Sequence, residues 1–277
     1  MSVHNSVSQR PSGRAPRQRG YTLVEILVAL LIGVFLLAGL FTILQNTRRT
    51  SSNQSGLAQL QDQQRMAMSM LSDVVQNAGY FDPNSITSAV ALPALAATGL
   101  ATGNALVASQ GISGSGTATT GDILLVRYAT NGTGSTTPDN LINCNGATSV
   151  AATNWKNTFY VSSSSSGGQT TWALYCSIDG TGAGGTGIPL VPGVTNMQVY
   201  YGVSTVAGAN NVDTYMTANQ VQSSSLGWAA VTSVRVTLTF QNPLYNPSFA
   251  ASTGAQYLYL TRVIPLQGRT GVIATAL

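Results

Sequence analysis

Few side chains in this chain could do chemistry, and their positions restrict what that chemistry can be. One glutamate (Glu25), one lysine (Lys156) and one histidine (His4) occur in 277 residues. His4 lies in the N-terminal tail, so the rest of the chain has no histidine for a Ser-His-Asp relay. The two cysteines, Cys144 and Cys176, make no CxxC and no zinc-type spacing, and a metal would lack a histidine partner. Asp122, Asp139, Asp179 and Asp213 are too scattered for an EF-type calcium loop and read as surface acids. The Gly-rich stretch Asp179–Gly187 lacks the Lys-Ser/Thr ending of a phosphate-binding loop and reads as a hairpin linker. Trp172, Tyr200, Tyr201, Tyr215 and Trp228 could form a contact face, but core and half-exposed sheet positions are the default for aromatics. These readings imply no metal, no organic cofactor and no enzyme.

Charged residues make up 7% of the chain, against roughly 25% in ordinary soluble domains. Neutral Ser, Thr, Asn, Gln and Gly replace them, a composition common in exported proteins. The net charge of +4 comes from the tail, where Arg10, Arg14, Arg17 and Arg19 face no acid. Without those arginines the basic and acidic residues balance, so the sequence points away from direct nucleic-acid binding. In an exported chain the two cysteines pair by default; in a cytosolic one they would be buried thiols. A bridge closing a loop of about 33 residues would stabilise by roughly 3–4 kcal/mol in the chain-entropy account.

Four segments organise the chain: a basic leader over 1–20, an apolar helix half over 21–44, an amphipathic helix half over 45–79 and a β-rich body over 80–277. From Ile26 to Phe41 every residue is apolar or glycine. At 1.5 Å per residue, Tyr21 to Leu44 spans about 36 Å, enough to cross a hydrocarbon core. Gly33 and Gly39 within it would let a neighbouring helix approach closely. Leu57, Leu60, Gln64, Ala67, Leu71, Val74 and Ala78 then follow helical 3-4 spacing. No proline falls between Tyr21 and Asp82, and Gly79 suits a helix C-terminus, so one helix from Tyr21 to Ala78 is expected. Strands are expected over Asp122–Ala129, Thr158–Val161, Thr171–Ser177, Val194–Val203, Val231–Gln241 and Tyr257–Pro265. Ser162–Gly168 reads as a flexible tract, and 84–120 carries little signal. The expected fold is α+β: a long N-terminal helix whose second half packs on an antiparallel β-sheet with long loops.

Against that plan Glu25 is anomalous, because it opens a segment suited to a bilayer, where a carboxylate is costly. Gly20-Tyr21-Thr22-Leu23-Val24-Glu25, preceded by arginines and followed by the apolar run, resembles the class III signal of type IV pilins and pseudopilins. The resemblance implies that a prepilin peptidase cuts after Gly20 and N-methylates Tyr21. It also implies that Glu25, at mature position five, pairs with the new α-amino group of Tyr21 on an adjoining subunit. Tyr21 departs from the usual phenylalanine, and Thr42 stands where many major pilins have a kinking proline. Neutralising the positive N-terminal end of its own helix is the simpler role for Glu25.

Stretches of the body are similar to PilW-type minor pilins: LVPGVTNMQVYYGV at Leu190–Val203, VTSVRVTLTF at Val231–Phe240, LYCSIDG at Leu174–Gly180 and QNAGYFDP at Gln76–Pro83. The resemblance implies a type IV pilin fold and a low-abundance subunit that starts pilus assembly in a tip or priming complex with other minor pilins and a tip adhesin. Major pilins, the prepilin peptidase and the inner membrane are the other implied partners. Before assembly the N-terminus would be cytoplasmic and the body periplasmic; afterwards the subunit would sit at the surface, at the pilus tip. Two other readings stay open: a minor pseudopilin of a type II secretion system, and a membrane-anchored module that binds glycan, DNA or a surface.

Overall fold

A computed structural model describes residues 20–83, 87–116, 121–132, 134–182, 187–206, 209, 211–249 and 254–267. The expected leader, apart from Gly20, and the centre of the 179–187 linker lie outside these residues. The chain divides into two compact units, residues 1–52 and 53–277.

Helix α1 (Leu23–Gln76) runs without a break and provides the described structure of the first unit from Leu23 onward. Its apolar residues from Leu23 to Leu44 are exposed, including Phe35 and Leu37 on different faces. The helix is long and apolar enough there to cross a membrane, and none of that window is buried within the chain. Thr42 does not interrupt it: the hydroxyl bonds the Ala38 carbonyl one turn back at 3.0 Å, and Thr47 and Thr50 do the same to Ile43 and Asn46 at 2.9 Å each.

In the second unit α1 turns amphipathic. Leu60, Ala67, Leu71 and Val74 are buried as the 3-4 spacing requires, while Leu57 stays exposed and Gln64 is half-buried. The helix ends at Gln76, where Asn77 and Ala78 bond three residues back and Gly79 takes φ +79°.

The body has two antiparallel sheets where the sequence suggests one. In the first, β1 (Ile112–Ser115), β2 (Ile123–Thr130), β3 (Thr153–Ser166), β4 (Gln169–Ser177) and β5 (Ile188–Pro192) lie in chain order. The second has β6 (Val194–Val203), β7 (Thr214–Met216), β8 (Val231–Gln241) and β9 (Tyr257–Pro265), in the order β7-β6-β8-β9. The break falls at Gly193, whose φ of +81° redirects the chain between β5 and β6. Among the described residues the body also has two short α-helices, α2 (Ser88–Ala91) and α3 (Ala218–Ser223), and 3-10 turns at Gly227–Ala230 and Pro247–Phe249. One apolar cluster unites α1 with both sheets, joining Leu71 and Val75 to Leu124, Phe159, Leu174, Met197, Val236 and Phe240.

The tract Ser162–Gly168 is not a loose linker. Ser162–Ser166 form the outer part of β3, and Gly167 and Gly168, at φ +60° and +79°, turn the chain into β4. A two-residue type I′ hairpin turn has positive φ at both central residues, which Gly-Gly adopts without strain. The serines pair with threonines across the strands: Ser164 with Thr171 and Ser165 with Thr170, each at 3.1 Å between hydroxyls.

Candidate functional site

The segment with the strongest functional signature begins before the helix. Gly20 and Tyr21 are exposed and non-helical, so the peptide bond between them lies in open chain. Thr22 starts the helix: its hydroxyl accepts the Glu25 N–H at 3.3 Å, and its carbonyl accepts the same N–H at 3.1 Å. Thr22-Leu23-Val24-Glu25 has the spacing of a capping box, a signal absent from the sequence reading, and it explains why the helix opens at Leu23 rather than Tyr21. Glu25 is exposed in the first turn. Among the described residues no cation lies in ion-pair contact with it, whereas Asp62 further along the helix pairs with Arg65 at 3.2 Å.

Cys144 and Cys176 form a disulfide, with Cα atoms 6.3 Å apart. Both are buried, and the Cys144 N–H donates to Asn157 Oδ1 at 2.8 Å, tying the loop before β3 to that strand. Nearby Tyr128 is buried, its hydroxyl donating to the Ile142 carbonyl, and desolvation pushes its pKa up to about 12. Cys144→Ser is expected to lower the unfolding free energy of the body by about 2–4 kcal/mol. Denaturant unfolding compared with and without reductant checks this: reductant should bring the wild type down to the variant and leave the variant unmoved.

Sequence reading misses Arg127 altogether. The side chain is fully buried, and its guanidinium donates to three backbone carbonyls, Gln110 at 2.8 Å, Val107 at 3.0 Å and Pro93. Desolvation lowers its pKa to about 10, which still leaves it charged at neutral pH. It clamps the segment carrying the Leu95–Leu106 bridge onto β2. Arg127→Met should cost about 2–4 kcal/mol by leaving those carbonyls without a donor. Limited proteolysis should then cut first within 93–110.

The aspartates do not behave as one class. Asp122 is buried, not a surface acid, and its carboxylate accepts the Val199 N–H at 2.8 Å across the two sheets. Asp213 accepts from the Thr205 N–H and hydroxyl at 2.8 and 2.9 Å, and these bonds hold its pKa below the usual carboxylate range. No group of three or more potential metal ligands occurs among the described residues. The aromatics divide likewise. Tyr201 and Trp228 pack edge-to-face in the core at 4.9 Å, Tyr200 and Tyr215 flank Arg235, and Trp172 stays 43% exposed.

A long apolar N-terminal helix leading into antiparallel sheets is the α+β architecture of a type IV pilin, and residues 15–41 match the prokaryotic N-terminal methylation motif. Residues 158–265 match the family described as type IV pilus-assembly protein W. Together the two matches support a PilW-like, type IV pilus-related minor pilin. Both families are structural pilus components rather than enzymes. No curated protein and no solved structure matches the chain.

Proposed function

We propose that the chain is a minor pilin that a prepilin peptidase cuts between Gly20 and Tyr21, N-methylates on Tyr21, and releases to join other minor pilins in a tip or priming complex. Before assembly the apolar half of α1 holds the subunit in the inner membrane, with the body in the periplasm. The complex starts the filament and helps present a tip adhesin. The observation that carries this reading is the exposed, non-helical Gly20–Tyr21 bond directly before the Thr22 cap. A peptidase needs extended backbone, and the cap stops the helix from enclosing the bond. The match over residues 158–265 favours a pilus over a secretion pseudopilus.

Intact mass of the membrane-extracted protein tests the reading. The expected result is loss of residues 1–20 with one added N-methyl group; an uncleaved leader or a mature N-terminus elsewhere overturns it. Gly20→Val should block cleavage, because a β-branched side chain crowds a site adapted to glycine.

A further inference from the structure

We propose that the cleft at the seam between the two sheets is a binding site for a neutral glycan. At the seam the Gly193 N–H donates to the Trp172 carbonyl of β4 at 2.8 Å, and the Gly193 carbonyl accepts from the Gln241 N–H of β8 at 3.1 Å. Beside it opens a cleft of about 630 Å³ that takes residues from both sheets. That volume lies within the roughly 300–1,000 Å³ of small-ligand sites.

Three aromatic rings line the cleft: Trp172 from β4, and Tyr257 and Tyr259 from β9. They are 43%, 38% and 69% exposed, whereas Tyr201 and Trp228 are buried in the core. Thr195, Asn196 and Gln198 of β6 supply hydroxyl and carboxamide groups. A β-bulge arranges two of them. Val194 pairs with Phe240 and Asn196 with Thr239, so Thr195 is the extra residue. Consecutive side chains in a regular strand point to opposite faces, yet Thr195 and Asn196 both line the cleft. Both are held in place: Asn196 Oδ1 accepts the Gly121 N–H at 2.8 Å, and Thr195 Oγ1 donates to the Thr239 carbonyl at 3.2 Å.

The lining chemistry selects the ligand. Aromatic faces suit the C–H faces of pyranose rings, and amides and hydroxyls suit their hydroxyl groups. None of the described lining residues is charged, so a nucleic acid, a phosphate or a sialylated glycan would meet no counter-charge. Val161 is the one aliphatic side chain among them, which is little for the apolar anchor of a protein partner.

The test uses the full-length protein in a sugar-free detergent, titrated with cellohexaose, maltohexaose and chitohexaose, and with dextran sulfate as the anionic comparison. Binding is read by tryptophan fluorescence and calorimetry. The expected result is saturable, salt-insensitive binding of at least one neutral oligosaccharide. Trp172→Ala and Tyr259→Ala should each weaken it by about tenfold or more. Tyr259 is exposed enough that its variant should fold normally, so it carries the test should Trp172→Ala prove unstable. Failure of all three neutral probes to bind overturns the proposal, as does unchanged affinity in folded Tyr259→Ala or preferential binding of dextran sulfate. So does loss of partner-pilin co-purification in the variants without glycan binding by the wild type, which would make the cleft a subunit contact. The glycan site stands apart from the processing reading: both variants should be cleaved and methylated as the wild type is.

Discussion

Glu25→Val is expected to leave the chain inserted in the membrane while reducing its recovery with partner pilins and on surface filaments by about tenfold or more. The two halves of this result have different causes. Insertion becomes easier, because the substitution removes the one carboxylate from the apolar half of α1, Leu23 to Leu44. On the proposed cleavage and pairing, assembly suffers because the α-amino group of Tyr21 on an adjoining subunit would be enclosed without a partner, and an unpaired buried charge costs about 3–5 kcal/mol. A role limited to its own helix predicts much less. The Thr22 hydroxyl already accepts the Glu25 N–H, so the first turn is capped without the carboxylate, and the remaining dipole term is about 0.3–1 kcal/mol. Glu25→Asp should be intermediate, since its reach is one methylene shorter. Co-purification with partner pilins, alongside counts of surface pili, decides the matter. Wild-type assembly by Glu25→Val, with processing intact, would discard the pairing.

The elements legible in the sequence are those whose burial repeats with a regular period. β6, β8 and β9 run over the expected ranges because each contains an alternating stretch, as Val234, Val236 and Leu238 make around Arg235 and Thr237 in β8. The N-terminal methylation motif is legible for a different reason: its signal is contiguous, from Gly20 to Glu25. What could not be read depends on contacts between distant positions. Two sheets rather than one follow from the single positive φ at Gly193. β1, β5 and β7 are short and rich in glycine, proline or polar residues, so pairing and not pattern creates them. Arg127 looks like an exposed strand residue until the 93–110 segment is seen folded over it. The seam cleft is the extreme case, since Trp172 and Tyr259 belong to different sheets.

Gly111→Ala is expected to destabilise the body by about 3–5 kcal/mol. An alanine Cβ at 111 would lie 2.2 Å from the Gly79 nitrogen, 2.4 Å from its Cα and 2.8 Å from the Ala78 carbonyl carbon. All three are backbone atoms, so no side chain can swing aside. The backbone cannot easily retreat either. The Gly79 N–H donates to the Arg127 carbonyl at 2.8 Å, and the Arg127 N–H donates to the Gly111 carbonyl at 2.7 Å. Those bonds fasten the end of α1 and the entry to β1 to one residue of β2, so a shift at either glycine breaks a buried hydrogen bond. Gly134→Ala is the control, because its added carbon meets only the Val150 carbonyl oxygen, at 3.3 Å. Equilibrium unfolding of the two variants in parallel should show a large loss for Gly111→Ala and under about 1 kcal/mol for Gly134→Ala. Equal losses would mean that the backbone crossing at Gly79 and Gly111 yields freely, and that the helix end is held by its apolar stripe alone.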